Sequence, residues 1–504
     1  MQKRETWATK IGLIFAAAGN AIGLGNLLRF PSKVALYGGG AFIVPYFISL
    51  FLLGIPLMIL EWVIGRFAGS KGHGSMVGIM GEFFNHSYIA RIVGSLGVVI
   101  PFLIVCYYIY IESWTLGFAF FSLFKKLPQP IVAEDPKLIM MPFLDFYRNY
   151  TKPSPYAIVF LTITLFVNWY ILERGIIKGI ELTAKIGIPA LLLMGIFLSI
   201  VSLSMNNWKG LEGLYFIFKP DFSRLLDPQV WVEASGQIFF TLSLAMGAIA
   251  TYASYVKENE DVLKAGLYTT GLNEFVEVLI GASIAIPAAF AMFGASSIPE
   301  LAEEGTFRIG FMSMPAILTA LPFGYYLSFI WFFLLFIAAL TSSLALIQPL
   351  VALFEDELKI FHSNSVNISM IMVSIGAFLS AFVPKFLDEL DFWAGTLFLI
   401  IFGFIEILAF VWLFGVENFY KELTRDVFLK IPKVFVYLFY GTSAIFIGLL
   451  FYFWTITKLP EYLGELSWNL IIARGFIVAS ILLIILIAIE SKRKYFDQER
   501  DDLS

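Results

Sequence analysis

Charged residues make up only 14% of this 504-residue sequence, where about 25% is usual for a soluble domain. So thin a charge cannot solvate the surface of a water-soluble globule of this size, and a cytosolic enzyme is excluded. A single cysteine, Cys106, allows no internal disulfide and no cysteine metal cluster. The basic residues (34) do not outnumber the acidic ones (38), for a net charge of −4. No basic field is therefore available for nucleic acid. The three histidines, His73, His86 and His362, fall in loops or at span ends, and no metal spacing links them. No catalytic nucleophile–base pair or nucleotide loop is legible. What the chain does have is apolar residues, at 59%, with 17% aromatic and a mean hydropathy of +0.83. The composition is that of a polytopic membrane protein.

A helix crossing the bilayer needs about 20 apolar residues. No charged side chain lies between Lys10 and Arg29, and the same holds for residues 34–60, 92–111, 153–172, 186–208, 234–256 and 278–299. The uncharged stretch 309–354 is too long for one crossing. It reads as an extracellular re-entrant segment followed by a helix starting near Phe323. Four further spans are expected near 363–383, 391–414, 434–456 and 468–489. The expectation is an all-α membrane protein of twelve spans. The first span carries no small-residue cleavage site, so it is not read as a removable signal. Lysine and arginine in the short loops place both termini in the cytoplasm.

Two spans look broken. Residues 16–26 read Ala-Ala-Ala-Gly-Asn-Ala-Ile-Gly-Leu-Gly-Asn, and residues 236–247 read Gly-Gln-Ile-Phe-Phe-Thr-Leu-Ser-Leu-Ala-Met-Gly. Glycine and asparagine at mid-membrane are poor helix material. Irregular backbone survives in a bilayer only where protein or a cavity satisfies its amides. Gly19 and Gly23 also fit the small-residue spacing of simple helix packing, but Asn20 and Asn26 argue against that alternative. The breaks lie five spans apart, in the first and sixth. Spans one to five and six to ten then read as two inverted copies, and paired breaks of this kind point to a transporter's binding site.

Residues 19–31, Gly-Asn-Ala-Ile-Gly-Leu-Gly-Asn-Leu-Leu-Arg-Phe-Pro, resemble the neurotransmitter:sodium symporter family. So do Gly38-Gly39-Gly40-Ala41-Phe42, residues 237–243, Leu272-Asn273-Glu274, Leu340-Thr341-Ser342-Ser343 and residues 391–396, Asp-Phe-Trp-Ala-Gly-Thr. The resemblance spans nearly the whole chain and is nearest to the bacterial leucine-transporter members. It implies two inverted five-helix repeats, 1–205 and 206–415, the second with the re-entrant loop near 294–323. Two further helices and a cytoplasmic tail follow in 416–504.

The same resemblance implies a Na⁺-coupled symporter for neutral, aliphatic amino acids in the cell membrane. One Na⁺ would use backbone oxygens of Gly19, Ile22 and Ala338 with the hydroxyls of Thr341 and Ser342. A second would use the Ala21 carbonyl, Asn26, Thr241, Asn273 and the substrate carboxylate. Taken alone, the hydroxyls of 341–343 would be read as bonded to their own helix. The substrate carboxylate would lie at the amides of Leu24 and Gly25 and the hydroxyl of Tyr108. Its amino group would meet Ala21, Phe240, Thr241 and Ser243. Asn20 belongs to the same pocket, and Ile104, Tyr108, Phe240, Met246, Ser342 and Leu346 would enclose the side chain. Arg29 and Asp391 resemble the family's outer gate. Arg4 and Asp356, with Trp7, Ser254 and Tyr255, resemble the inner one. Glu277 stands where chloride-dependent members carry a small hydroxyl residue, near Tyr46, Gln237 and Thr241, so chloride independence is implied. Glu61 is expected to accept from amides freed by the broken first span. Glu112 and Glu406 read as structural. Oligomeric state, including a homodimer, is left open.

Overall fold

The computed structural model describes residues 5–133, 135–295, 298, 307, 309–427, 431–457, 459–460 and 467–503. Its described residues are helical, with no strand among them. Ten continuous helices are long and apolar enough to cross a membrane. They are Gly40–Gly69, Tyr88–Leu123, Pro155–Glu173, Ile176–Trp208, Val262–Phe293, Gly324–Glu357, His362–Phe382, Phe386–Leu413, Lys433–Thr457 and Trp468–Lys494. Lys10–Ala21 and Gly25–Leu36 qualify only as a pair, bent by 50° at their junction. Between Ile176–Trp208 and Val262–Phe293 lie three short helices, Gly210–Phe218 and then Pro228–Thr241 and Ala248–Ala253, the last two separated by six residues. Counting this interrupted element as a crossing gives the twelve spans expected, numbered in that order below.

Both breaks fall where glycine and polar residues were legible, and tertiary contact explains why the chain tolerates them. In the first span Ile22 leaves the helix at φ −77°, ψ 96°. A side chain at Gly23 would meet the Ser342 Oγ and the Tyr108 hydroxyl at 2.7 Å each. Only glycine lets the backbone come so close to the eighth and third spans. In the sixth, Ser243, Ala245 and Gly247 all adopt left-handed backbone (φ 52°, 57° and 65°). For a non-glycine residue this costs on the order of 1 kcal/mol or more. The freed amide of Ala245 donates to Glu61 Oε1 at 2.7 Å. Glu61 thus serves the sixth span and not the first as expected, because its helix packs against Ala248–Ala253.

The third and eighth spans share the most extensive packing in the molecule and form the wall facing both breaks. The N-terminal half of the first span is tied down at its start. Glu181 of the fifth span accepts from the Ala8 amide (2.8 Å), the Thr9 amide (3.2 Å) and the Thr9 hydroxyl (2.7 Å). The chain turns sharply at Met205–Asn207, where φ becomes positive, next to the expected repeat boundary. Much of the 294–323 segment lies outside the described residues. Its described part includes a short buried apolar helix over Ile309–Thr319. The eighth span then starts at Gly324.

Candidate functional site

Five spans, the first, third, sixth, seventh and eighth, meet at the two breaks. At the first break the Gly23 amide donates to Asn26 Oδ1 (2.8 Å) and the Leu24 amide to the Tyr108 hydroxyl (3.1 Å). Asn26 therefore closes its own turn with its oxygen and sends its Nδ2 group across to the sixth and seventh spans. That nitrogen donates to Thr241 Oγ1 (3.0 Å), Asn273 Oδ1 (2.9 Å) and Glu277 Oε2 (2.8 Å). Thr241 also donates to Glu277, and Gln237 Nε2 donates to Glu277 Oε1 at 2.9 Å. The carboxylate of Glu277, wholly buried, is thus the acceptor on which three spans converge. Asn26, Thr241 and Asn273, expected to share an ion, do lie together.

Tyr46 lies beside Glu277 as expected, its hydroxyl within reach of that carboxylate. Its hydroxyl goes to Glu274 Oε2 at 2.8 Å, and Asn273 Nδ2 reaches the other Glu274 oxygen at 3.2 Å. Glu274 is a second carboxylate that sequence reasoning passed over. The signal was present: a second acid three residues before Glu277, hence on the same helix face.

On the opposite side of the first break, the Ser342 hydroxyl lies 3.1 Å from the Gly19 carbonyl, 3.2 Å from Asn20 and 3.4 Å from Ile22. Three carbonyls directed at one hydroxyl form a neutral oxygen cluster of the kind a hard cation prefers. Thr341 Oγ1 donates within its own helix to Ile337 (3.1 Å) and Ala338 (3.2 Å). That local bonding is the alternative the sequence left open, and it still brings the Ala338 carbonyl and the Thr341 hydroxyl together.

Between these clusters lies a cavity of about 20 Å³ bounded by Ala21, Gly25, Ile104, Tyr108, Phe240 and Met246. Asn20, Ser243, Ser342 and Leu346 complete its wall. Neither side-chain polar atom of Asn20 has a hydrogen-bond partner, although both are buried. Such atoms carry an unmet demand of about 1–3 kcal/mol each. The Ser243 hydroxyl donates to the Asn20 carbonyl at 3.1 Å. A space of 20 Å³ accommodates about one water molecule and no amino-acid side chain.

A second cavity of about 380 Å³ lies directly beyond Phe240 and Tyr108 and shares both residues with the first. Leu24, Arg29, Tyr107 and Asp391 line it. Arg29 and Asp391 do not form the ion pair expected of them. Asp391 accepts from the Tyr107 hydroxyl at 2.7 Å, while the Arg29 guanidinium lies over the Phe240 ring at 4.9 Å. On the other side of the breaks the path is packed shut. Trp7 donates from its indole to the Tyr252 carbonyl (2.9 Å) and from its amide to the Tyr255 carbonyl (3.2 Å). The Tyr255 hydroxyl accepts from Gln348 at 2.9 Å, and Ser254 donates to Thr251 of its own helix. Asp356 is buried at the end of the eighth span. Arg4, its expected partner, lies outside the described residues.

Glu112 accepts from Asn168 at 3.0 Å, and Glu406 is buried beside Glu61. The histidines need a correction. His73 and His86, unlinked by any sequence spacing, come together with Glu82, their ligand atoms lying within 4.8 Å of one another. His362 stays apart, against Glu355 (3.2 Å).

Comparison with known proteins places this geometry. The model of the sodium:neurotransmitter symporter family matches residues 4–133 and 155–494. An uncharacterized sodium-dependent transporter of Methanocaldococcus jannaschii is 30% identical over 458 residues, covering 86% of this chain and 87% of the relative. The sodium- and chloride-dependent GABA transporter 2 of Rattus norvegicus is 26% identical over 467 residues, covering 84% of this chain and 75% of the relative. Among solved structures, MhsT in complex with L-phenylalanine superposes with a TM-score of 0.77 at 28% identity, covering 89% of this chain and 99% of MhsT.

Proposed function

Because the chain belongs to the sodium:neurotransmitter symporter family, and so is a multi-pass membrane transporter and not an enzyme, we propose that it is a Na⁺-coupled importer of neutral amino acids working by alternating access. The observation that carries this reading is the unpartnered Asn20 side chain between two oxygen clusters, at the junction of two broken helices. One Na⁺ lies among the Gly19, Ile22 and Ala338 carbonyls and the Thr341 and Ser342 hydroxyl oxygens, the Ser342 O–H turning away from those carbonyls to admit it. The other takes Ala21, Asn26, Thr241 and Asn273 together with the substrate carboxylate. That shared ligand couples ion to substrate. Relatives named as sodium-dependent transporters support Na⁺ as the driving ion.

The substrate carboxylate sits at Leu24, Gly25 and Tyr108, and its amino group at the carbonyls of Ala21, Phe240 and Thr241 and at Ser243. Ile104, Met246 and Leu346 set an apolar end suited to aliphatic side chains. MhsT was solved with phenylalanine, so aromatic substrates belong in any panel. The resemblance to the leucine-transporter members rests on the same motifs. Residues 1–205 and 206–415 are the two repeats, both termini are cytoplasmic, and the molecule resides in the cell membrane.

The open outer cavity and packed inner path support an outward-facing state. Substrate enters the space beyond Phe240, and the inner cavity widens as Phe240 and the adaptable Met246 side chain move. Arg29 then leaves the Phe240 ring and pairs with Asp391 over the bound substrate. Two Na⁺ charges moving with a net-neutral substrate supply roughly 4.6 kcal/mol per 100 mV. That suffices for about three powers of ten of accumulation. The test is uptake by proteoliposomes across a panel of neutral amino acids, with and without a Na⁺ gradient. Accumulation independent of Na⁺, or no accumulation of any neutral amino acid, refutes it.

A further inference from the structure

The segment joining the second and third spans folds into a compact side-chain cluster. The short helix Met76–Phe83 runs through it. Asn85 and His86 then both take left-handed backbone, φ 51°. This reverses the chain and returns the His86 ring to Glu82, four residues earlier. His86 Nε2 is 3.3 Å from Glu82 Oε2, and His73 Nε2 is 3.8 Å from the same oxygen. His73 Nδ1 lies 2.7 Å from Glu357 Oε1. A carboxylate only accepts, so Nδ1 carries the hydrogen, and Nε2 is the nitrogen that faces Glu82. Glu357 is held in turn by Arg91 (3.0 Å), which also donates to Ser491 (2.6 Å).

We propose that His73, Glu82 and His86 form a binding site for a divalent first-row transition-metal ion of the zinc type, with water completing its shell. Imidazole and carboxylate ligands suit such an ion. A carboxylate on the far nitrogen of a ligating histidine is its usual support, and Glu357 supplies one to His73. Metal–ligand bonds of about 2.0–2.1 Å in a tetrahedral shell put ligand atoms about 3.3 Å apart. Glu82 Oε2 stands 3.3 and 3.8 Å from the two ring nitrogens and all three ligand atoms lie within 4.8 Å of one another, so the closure needed is at most about 1.5 Å.

Binding has two local costs. Lys71, partly exposed, pairs with Glu82 and must give way. Arg91 Nη2 donates to His86 Nδ1 at 3.1 Å, so the proton of His86 sits on Nε2. Metal at Nε2 moves that proton to Nδ1 and breaks this contact, while Arg91 keeps Glu357 and Ser491.

The test uses the purified full chain in lipid nanodiscs, titrated with Zn²⁺ by calorimetry and with Co²⁺ by visible absorption. One equivalent of each ion is expected, with the Co²⁺ spectrum of a tetrahedral nitrogen–oxygen site. Glu82→Gln and His86→Gln alter partly exposed positions and carry the test. Each should weaken Zn²⁺ by at least the roughly 10–100-fold typical of losing even a supporting partner. Glu357→Gln should fall within that range, and His362→Gln should change nothing. A native chain that takes up no Zn²⁺, or Glu82→Gln and His86→Gln variants that bind it as tightly as the native chain, overturns the proposal. These readouts are independent of transport, so they stand or fall apart from the uptake test.

Discussion

Replacing Glu277 by serine is the sharpest perturbation of the ion site. The Glu277 carboxylate accepts from Asn26 (2.8 Å), Gln237 (2.9 Å) and Thr241. In Glu277→Ser, Asn26 keeps Thr241 and Asn273 as acceptors. Gln237 is left with only the Gly25 carbonyl at 3.4 Å. One to two buried donors thus lose a charged acceptor, each worth about 1.5–3 kcal/mol. The net loss of about 2–5 kcal/mol corresponds to roughly 1.5 to 3.5 powers of ten in Na⁺ and substrate affinity. The fixed negative charge that balances bound Na⁺ in a region of low dielectric goes with it. Chloride is an acceptor-only anion and can take the vacated place among Gln237, Thr241 and the new hydroxyl. Native uptake should not need chloride, while Glu277→Ser should regain affinity as chloride is added. Glu274, held by Tyr46 and Asn273, stays nearby and softens the requirement in the single variant. The Glu274→Gln/Glu277→Ser double variant should show it fully. Chloride titrations of Na⁺-dependent substrate binding and of uptake in all three proteins decide the matter. A native chain that needs chloride, or folded single and double variants both indifferent to it, would refute the reasoning.

Other positions give independent checks. Asn273→Ala should weaken Na⁺ and substrate by the same factor, since coupling is reciprocal; equilibrium binding at varied Na⁺ shows whether the two shifts match. Ile104→Ala should enlarge the inner cavity and favour larger side chains by about 1–3 kcal/mol, read as a changed ranking in competition binding. Trp7→Ala removes a buried ring and its bond to Tyr252, at a cost of about 3–5 kcal/mol. It should therefore lower the melting temperature and open the inner path, exposing a cysteine placed at Ser254 to thiol reagents, with buried Cys106 remaining silent.

Local pattern alone determined the helices and their breaks. Uncharged runs located the spans because the bilayer imposes a minimum apolar length on every crossing, but helices such as Tyr88–Leu123 and Val262–Phe293 run well beyond the uncharged cores at 92–111 and 278–299. The glycines and asparagines at 19–26 and 236–247 marked the interruptions, because broken backbone needs those residue types wherever it occurs. Asn26, Thr241, Asn273 and Ser342 could be named in advance since their types and order follow a family pattern.

What packing decided is where each side chain points across gaps of hundreds of residues. Glu61 reaches the sixth span and not the first. Tyr46 donates to Glu274, a carboxylate beside Glu277, and Asp391 takes Tyr107 while Arg29 lies on Phe240. Each choice depends on the rotation and depth of one helix against another, which no local sequence window contains. The small size of the inner cavity is likewise a joint product of the first, third, sixth and eighth spans. The meeting of His73, Glu82 and His86 required two consecutive left-handed residues. That backbone reversal is set by packing of the loop against Glu357 and Arg91, and nothing in the spacing of the histidines announces it.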